Sequence, residues 1–372
     1  MADTESPPSA LAPEGALMNI RANDLRAFVK AIFVGVGCSE AESGRIAQHL
    51  VEANLVGHDS HGVIRVPRYV TWLQEGKLKA DQDVSVVFEN DAMLVLDGNF
   101  GMGQTVGPQA VSRGIEKAAD SGVAIVALRH AGHLGRIGDW AIQAAEAGQV
   151  SVHFVNVAGS VLVAPFGGVE RRMSTAPVAI GMPVPDAPPV ILDFATSVVA
   201  EGKVLVASKG GATLPDGALI TGDGKLSSDP ATLYGDVDAT RSADVRGGDG
   251  AIRAMGDHKG SGLALMCELL AGALAGSGCT SFDAPRIYNG MLSIYMSTDH
   301  FDTGNHFAPE LKRYLDFFRS AKPAESGGEV LLPGEPEERR KKTRLAEGVP
   351  LADDAWGAIV EAGASVGVTP PS

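Results

Sequence analysis

Cysteine is scarce in this chain, with only Cys38, Cys267 and Cys279 in 372 residues. Three cannot build a framework of paired bridges and none stands in a CxxC spacing, so neither a disulfide scaffold nor a cysteine metal site is expected. Basic residues are also short. Against 45 acidic side chains there are 31 Lys and Arg, a formal charge of -14 and a pI near 5.1, which argues against nucleic acid or an anionic membrane as the main partner. Any anionic ligand must be held by a local group of cations. The most membrane-like run, residues 260–278, is barely long enough to span and carries Glu268 among small residues, so it reads as a buried core helix. The first 17 residues lack a basic region followed by an apolar run, which points to a cytoplasmic protein. No GxGxxG followed by a ribose-binding acid comes after any strand pattern, so the Rossmann fingerprint is missing.

What the chain does have is 45% hydrophobic residues, enough for a sizeable core, and a length that suggests roughly two domains. Its densest polar stretch is GHDSHGVIRVPRY, from Gly57 to Tyr69. Two histidines, an aspartate, a serine, two arginines and a tyrosine crowd together there. Reducing a 2-oxo acid needs a proton donor beside the carbonyl, a cation for the carboxylate and a hydroxyl to fix the donor, and His61, Arg65 and Ser60 can supply these. A solvated helix start is the plainer reading of the same residues.

Along the chain, an acidic tail with Pro7, Pro8 and Pro13 reads as disordered. Helical spacing follows through Leu25, Phe28, Val29 and Ile32. Ser39 with Glu42 forms a capping box for a second helix that runs down to Gly57, and Pro67 places the start of the next helix. From about Val84 the pattern changes to short β-rich runs, VSVVF, AMLVLDG, VAIVAL and VSVHFVNV, alternating with helical spacing, a mixed α/β or α+β body. A hairpin is expected at TGDGKL, an exposed mobile loop over residues 236–250, and a terminal helix from Asp354 to Gly363. The run EERRKK reads as a solvated helix face.

Four further stretches can carry chemistry. In VAIVALRHAGHLGRIGDWA a strand leads into a loop with His130, His133 and glycines and then into a helix, where backbone N–H groups can approach an anion. In PPVILDFATSVVAEGKV an apolar strand delivers Asp193, a carboxylate able to orient a histidine or to cap a helix. In MGDHKGSGLALM, His258 and Lys259 stand between glycines, and a lysine there can bind phosphate as a point charge. RRMSTAPVAIGMP places Ser174 and Thr175 in a loop edging a pocket.

In that order these stretches resemble the type 2 malate/L-lactate dehydrogenase family, with DSHG and HKG as the specific motifs and a likeness covering nearly the whole chain from about Leu17. The segment from LLPGE to EGVPL is similar to the bacterial hydroxycarboxylate dehydrogenase branch. The resemblance implies a non-Rossmann nicotinamide-binding fold of the mixed α+β type, as in L-sulfolactate dehydrogenase, and a homodimer with active sites near the subunit interface. It implies a tail over residues 1–17, a helical domain from 18–83 with 330–372, and an α/β catalytic and cofactor-binding body over 84–329. Carried over residue by residue, His61 is the proton donor, Ser60 and Asp193 orient it, and Arg65, Tyr69 and His133 meet the substrate. NAD or NADP would lie along His133, Leu134, Gly135, Arg136, Ile137, Ser174, Thr175, Ala176, His258 and Lys259, with a further contact in residues 297–301. Three departures stand out. Ala176 replaces an asparagine common in relatives, Ser261 replaces a tyrosine after HKG, and residues 236–250 form extra loop.

The implied reaction is reversible hydride transfer between NADH or NADPH and a 2-oxo acid, with His61 moving the proton and reduction weakening as pH rises through its pKa. A cyclic imine such as piperideine-2-carboxylate is an alternative substrate, because the same histidine can protonate nitrogen. A metal-dependent hydrolase or lyase using His58 and His61, or His130 and His133, is a rival from another class, though no carboxylate completes a ligand set at a recognisable spacing. A ligand-binding protein that kept the fold without turnover is the third.

Overall fold

The four β-rich runs fold as strands of one seven-stranded sheet. In the computed structural model, which describes residues 17–208, 213–235 and 246–371, the spatial order is Ser85–Glu89, Met93–Asp97, Val123–Ala131, Tyr288–Ser297, Gln149–Ala158, Val178–Val184 and Ala187–Phe194. Only Met93–Asp97 and Val123–Ala131 pair parallel, joined by the crossover helix Gly103–Ser121. The remaining neighbours are antiparallel. One parallel pair in seven strands is not a doubly wound sheet, as the missing fingerprint led one to expect. The strand latest in sequence, Tyr288–Ser297, sits at the centre, so the body closes only after most of it has been synthesised.

Side-chain alternation gives the sheet two buried faces. Ala179 packs on one face with Val126, Val155 and Trp140 of the helix Gly138–Glu146. Its neighbours Val178 and Ile180 pack on the other with Leu219, Ile252 and Ala264. That second face carries a small sheet whose Leu219–Ile220 and Leu226–Ser227 strands make the expected hairpin. Most of the loop expected over 236–250 lies outside the described residues.

A third core joins the two ends of the chain. Leu17–Ile20 pairs antiparallel with Val349–Ala352, and the helices Ala22–Gly35, Glu40–Leu55, Val66–Gln74 and Asp353–Ser365 bury Phe33, Leu50, Tyr69 and Ile359 together. Ser39 caps the second helix through Oγ, 3.2 Å from the Glu42 N–H. The reciprocal half of the capping box is absent. The Glu42 carboxylate accepts from the Asp81 N–H and the Thr105 hydroxyl, and the Ser39 N–H turns to Asp81, because a buried carboxylate gains more from two donors across the interface than from one local N–H.

The apolar run at 260–278 is a correction. It forms the helix His258–Cys267 continued by the π-helical turn Glu268–Leu274, with Ala264, Cys267 and Ala271 buried but Leu265 (52%), Met266 (47%) and Leu269 (44%) exposed. It is buried on one side only. No helix among the described residues is long and apolar enough to cross a membrane.

Candidate active site

The GHDSHG segment follows the helix Glu40–Leu55 as two short 3₁₀ turns, Asp59–His61 and Val63–Arg65, before Pro67 opens the helix Val66–Gln74 at its favoured first turn. Asn54, on the last turn of the preceding helix and 1% exposed, holds this bend from both sides. Its Nδ2 donates to Asp59 and its Oδ1 accepts from the Val63 N–H. Gly62 is required here: a Cβ would stand 2.1 Å from Asn54 Oδ1. From the C-terminal helix Glu335–Glu347, Arg344 grips both oxygens of Asp59 at 2.6 and 3.0 Å.

The bend presents His61 and Arg65 to a cavity of about 70 Å³ whose walls also include Arg68, His133, Thr175 and Glu201. Ser60 Oγ lies 3.0 Å from His61 Nδ1, and the Arg65 Nε–H donates to Ser60 O at 2.6 Å. One serine therefore fixes both the imidazole and the guanidinium. The His61 and His133 rings stack with centroids 5.6 Å apart and planes 11° from parallel. Burial, then the charges of Arg65 and His58, hold the His61 pKa down at about 3. His133 is held well below its ordinary value for the same first reason, with Arg65, His61 and Arg68 adding to it. Both imidazoles are neutral at neutral pH.

Of the loop residues, His133, Gly135 and Ile137 line the cavity. Leu134 and Arg136 do not. Leu134 is core and its N–H donates to Asn289, while Arg136 turns to Asp139. Thr175 reaches the wall, but Ser174 is buried and donates to Glu268. Ala176 is buried at φ +28°, a left-handed region that asparagine tolerates better than alanine. Tyr69 stands behind His133, its Oη 2.5 Å from Nδ1, and is not on the wall.

Three expected contributions lie elsewhere. Asp193 accepts from the Gly138 N–H at 2.8 Å, and among the described residues neither of its oxygens bonds to His61. Its strand ends beside a helix start, whose unpaired N–H groups compete for the carboxylate. His258 and Lys259 are exposed at a helix start and outside the cavity lining. Residues 297–301 follow the far end of the strand Tyr288–Ser297, whose near end supplies Asn289 to the cavity, roughly 25–30 Å away at about 3.3 Å per residue. Ser261, the departure after HKG, accepts from the Phe166 N–H.

Sequence reasoning missed Glu201 and Arg246. They form a close ion pair on the cavity wall, and Tyr234 donates to the same carboxylate at 3.2 Å. Burial pushes the Glu201 carboxyl up, yet Arg246, Arg65 and Arg68 outweigh it and keep it ionised. The one local signal was a lone acid in the apolar run SVVAEGKVLVA. A larger cleft of about 610 Å³ lies on the other side of the bend, with His49, His58, Arg136, Asp139 and Asp193. Its basic groups are taken up by acids: His49 and Arg136 share Asp139, and His58 stands 3.4 Å from Glu337. The smaller cavity has Arg65 on its wall and is the better anion site. Neither histidine pair offered for a metal converges, since His130 turns to Asp97 and His58 to Glu337. No group of three or more His, Cys, Asp or Glu able to hold a metal occurs among the described residues.

Residues 20–360 match the family model described as malate/L-lactate dehydrogenase. The chain belongs to the malate/L-lactate dehydrogenase family. Hydroxycarboxylate dehydrogenase B of Escherichia coli K12 is 37% identical over 355 residues, covering 93% of this chain and 94% of that protein. Among solved structures, the sulfolactate dehydrogenase of Methanocaldococcus jannaschii aligns with a TM-score of 0.81 at 31% identity, covering 95% and 98% of the two chains. The malate dehydrogenase of Pyrococcus horikoshii aligns with a TM-score of 0.83 at 26% identity, covering 97% and 100%. These neighbours have the family's non-Rossmann architecture, and the seven-stranded mixed sheet described above is this chain's version of it.

Proposed function

We propose that this protein is a 2-hydroxycarboxylate dehydrogenase that moves a hydride between NADH or NADPH and a 2-oxo acid, working in the cavity that holds His61 and Arg65. The observation that carries the reading is the half-buried pairing of a neutral imidazole with a guanidinium, both tied to Ser60. Arg65 spends Nε on Ser60 O and stands on the cavity wall, a guanidinium that a substrate carboxylate can pair with. Val155, Val157, Leu162, Pro177 and Ile287 make an apolar wall edged by Thr175 and Gly135, which suits the flat face of a nicotinamide ring. When bound, that ring supplies or accepts the hydride at the substrate's C2.

In the oxidative direction neutral His61 takes the hydroxyl proton, and in reduction it gives the proton back to the oxygen. An empty site disfavours the protonated form. A bound carboxylate offsets the Arg65 charge that helps to hold the pKa down, so substrate binding itself prepares His61 to carry a proton. His133 lies against the same ring and adds a polar contact for the substrate. We also take the protein as a cytoplasmic homodimer. Exposed Leu265, Met266 and Leu269 on one helix, and Tyr314, Phe317 and Phe318 on Phe307–Arg319, support an apolar contact between copies. Sedimentation equilibrium showing only monomer would remove that part.

The test is nicotinamide absorbance with NADH and NADPH separately against pyruvate, oxaloacetate, phenylpyruvate, hydroxyphenylpyruvate and piperideine-2-carboxylate. Turnover of any 2-oxo acid is expected and ranks cofactor and side chain together. Turnover confined to the imine would replace the substrate class, and silence with every acid would overturn the reading.

A further inference from the structure

Three guanidiniums stand on the cavity wall, yet two of them are already engaged. Arg246 donates from Nε, at 3.0 Å, and from Nη2 to the same oxygen of Glu201. Arg68 is engaged as well, its guanidinium 5.9 Å from the centroid of the Trp72 ring. Arg65 donates only from Nε among the described residues, to Ser60 O, so it is the guanidinium with donors to spare for a carboxylate. Glu201 is the one acid among the described residues of that wall. Its Oε1 takes both Arg246 bonds and the Tyr234 hydroxyl at 3.2 Å, while Oε2 accepts from no donor among the described residues. The side chain is only 12% exposed, so water screens its charge poorly.

Glu201 also stands close to the groups that meet the substrate. The next residue, Gly202, packs on Ser60, where an added Cβ would lie 2.6 Å from Ser60 Cβ, and Ser60 is the tether of both His61 and Arg65. A 2-oxo acid held by its carboxylate at Arg65 and its C2 oxygen at His61 leaves its side chain to the rest of the wall. A cavity of about 70 Å³ gives that side chain little room to stand far from Glu201.

We infer that Glu201 is a specificity-determining residue, which admits 2-oxo acids with a single negative charge and turns away those with a second carboxylate in the side chain. A neutral side chain meets no opposing charge there. A second carboxylate would face the poorly screened charge of Glu201, and the guanidinium nearest to offset it, Arg246, is already taken by that same acid. The inference rests on the dehydrogenase reading for its substrates, but the selection by charge belongs to the cavity itself.

The experiment compares 2-oxobutyrate with oxaloacetate, acids of similar size that differ in side-chain charge, as substrates of the full-length protein. In wild type, kcat/KM should be higher for 2-oxobutyrate by about tenfold or more. In Glu201→Gln that ratio should fall by about tenfold, chiefly through a lower KM for oxaloacetate, while Glu201→Asp, which keeps the charge, should stay near the wild-type ratio. A helix that merely loosened would slow both acids alike and leave the ratio where it was, and that result overturns the inference. So does a wild type that prefers oxaloacetate, which needs no variant to fold. Titration calorimetry of 2-hydroxybutyrate and malate, with NAD or NADP present, reads the same selection without turnover. Tighter binding of 2-hydroxybutyrate by a protein that turns over none of the 2-oxo acids would leave the inference standing and remove the dehydrogenase reading alone. Equal or tighter binding of malate, or binding of neither acid, would overturn the inference.

Discussion

At the scale of a single residue, the chemistry turns on what burial does to His61. A solvated histidine would share its proton near pH 6.5. Here burial, Arg65 and His58 depress the pKa to about 3, with Asp139 opposing. The base form is needed for oxidation, and it is lost only as pH falls through the folded-state pKa. The oxidative kcat/KM should therefore run flat on the acid side from about pH 8 down past the ordinary histidine range, falling only toward pH 3–4. A break near 6.5 in steady-state rates across that range would mean that His61 is hydrated or is not the base. Replacing His61 by Gln keeps a polar side chain of similar reach but removes the proton acceptor. Turnover should drop by a factor on the order of 100 or more, the usual scale for general acid–base catalysis. Substrate binding should persist through Arg65, and a variant with near-normal kcat would take His61 out of the mechanism.

At the scale of the element, the same substitution tests two helices with opposite expected signs. Gly202 opens the helix Glu201–Ser208 against the DSHG turn, where an added Cβ would lie 2.6 Å from Ser60 Cβ. Gly202→Ala must push the helix away from Ser60, and with it Glu201 and the tether of His61. Such overpacking costs about 1–3 kcal/mol, and a displacement near 1 Å can reduce turnover by about 100-fold. Gly44, inside Glu40–Leu55, has nothing within 4 Å of its Cβ position. Gly44→Ala should instead stabilise by about 0.5–1 kcal/mol with unchanged kinetics. Thermal unfolding and kcat of the two variants side by side decide it, and equal effects would mean that the close contact at Ser60 is absent in solution. This contact also shows what sequence can and cannot display. The DSHG cluster was legible because its groups are contiguous, and the strands because β-branched runs alternate. Glu201 and Arg246 were not, because their ion pair joins positions 45 residues apart. Nor does an irregular loop have a period from which to tell that His133, Gly135 and Ile137 face the cavity while Arg136 faces away. The run at 260–278 misled for a related reason: being apolar all round, it carries no sign of which side is covered.

At the scale of the whole molecule, the site depends on the chain's two ends meeting. The strand Val349–Ala352 and the helix Asp353–Ser365 bury Val349, Leu351 and Ile359 in the same core as Phe28, Ile32 and Leu50. Just before them, Arg344 clasps Asp59, two positions from His61. Removing residues 349–372 would forgo about 5–9 kcal/mol from those three side chains alone. That approaches the full stability of an ordinary domain, about 5–15 kcal/mol, so a chain ending at Gly348 should show no cooperative thermal transition and no turnover. Arg344→Gln separates the two contributions. It leaves the core intact and loosens only the clasp, so its melting temperature should stay close to that of the parent while kcat/KM falls, by about tenfold if Asp59 and the turn shift by a fraction of an ångström. If Arg344→Gln were to keep full activity while the shortened chain failed to fold, the C-terminal segment would support the fold alone. If the shortened chain folded and turned over substrate, the dependence of the His61 turn on the joined ends would be wrong altogether.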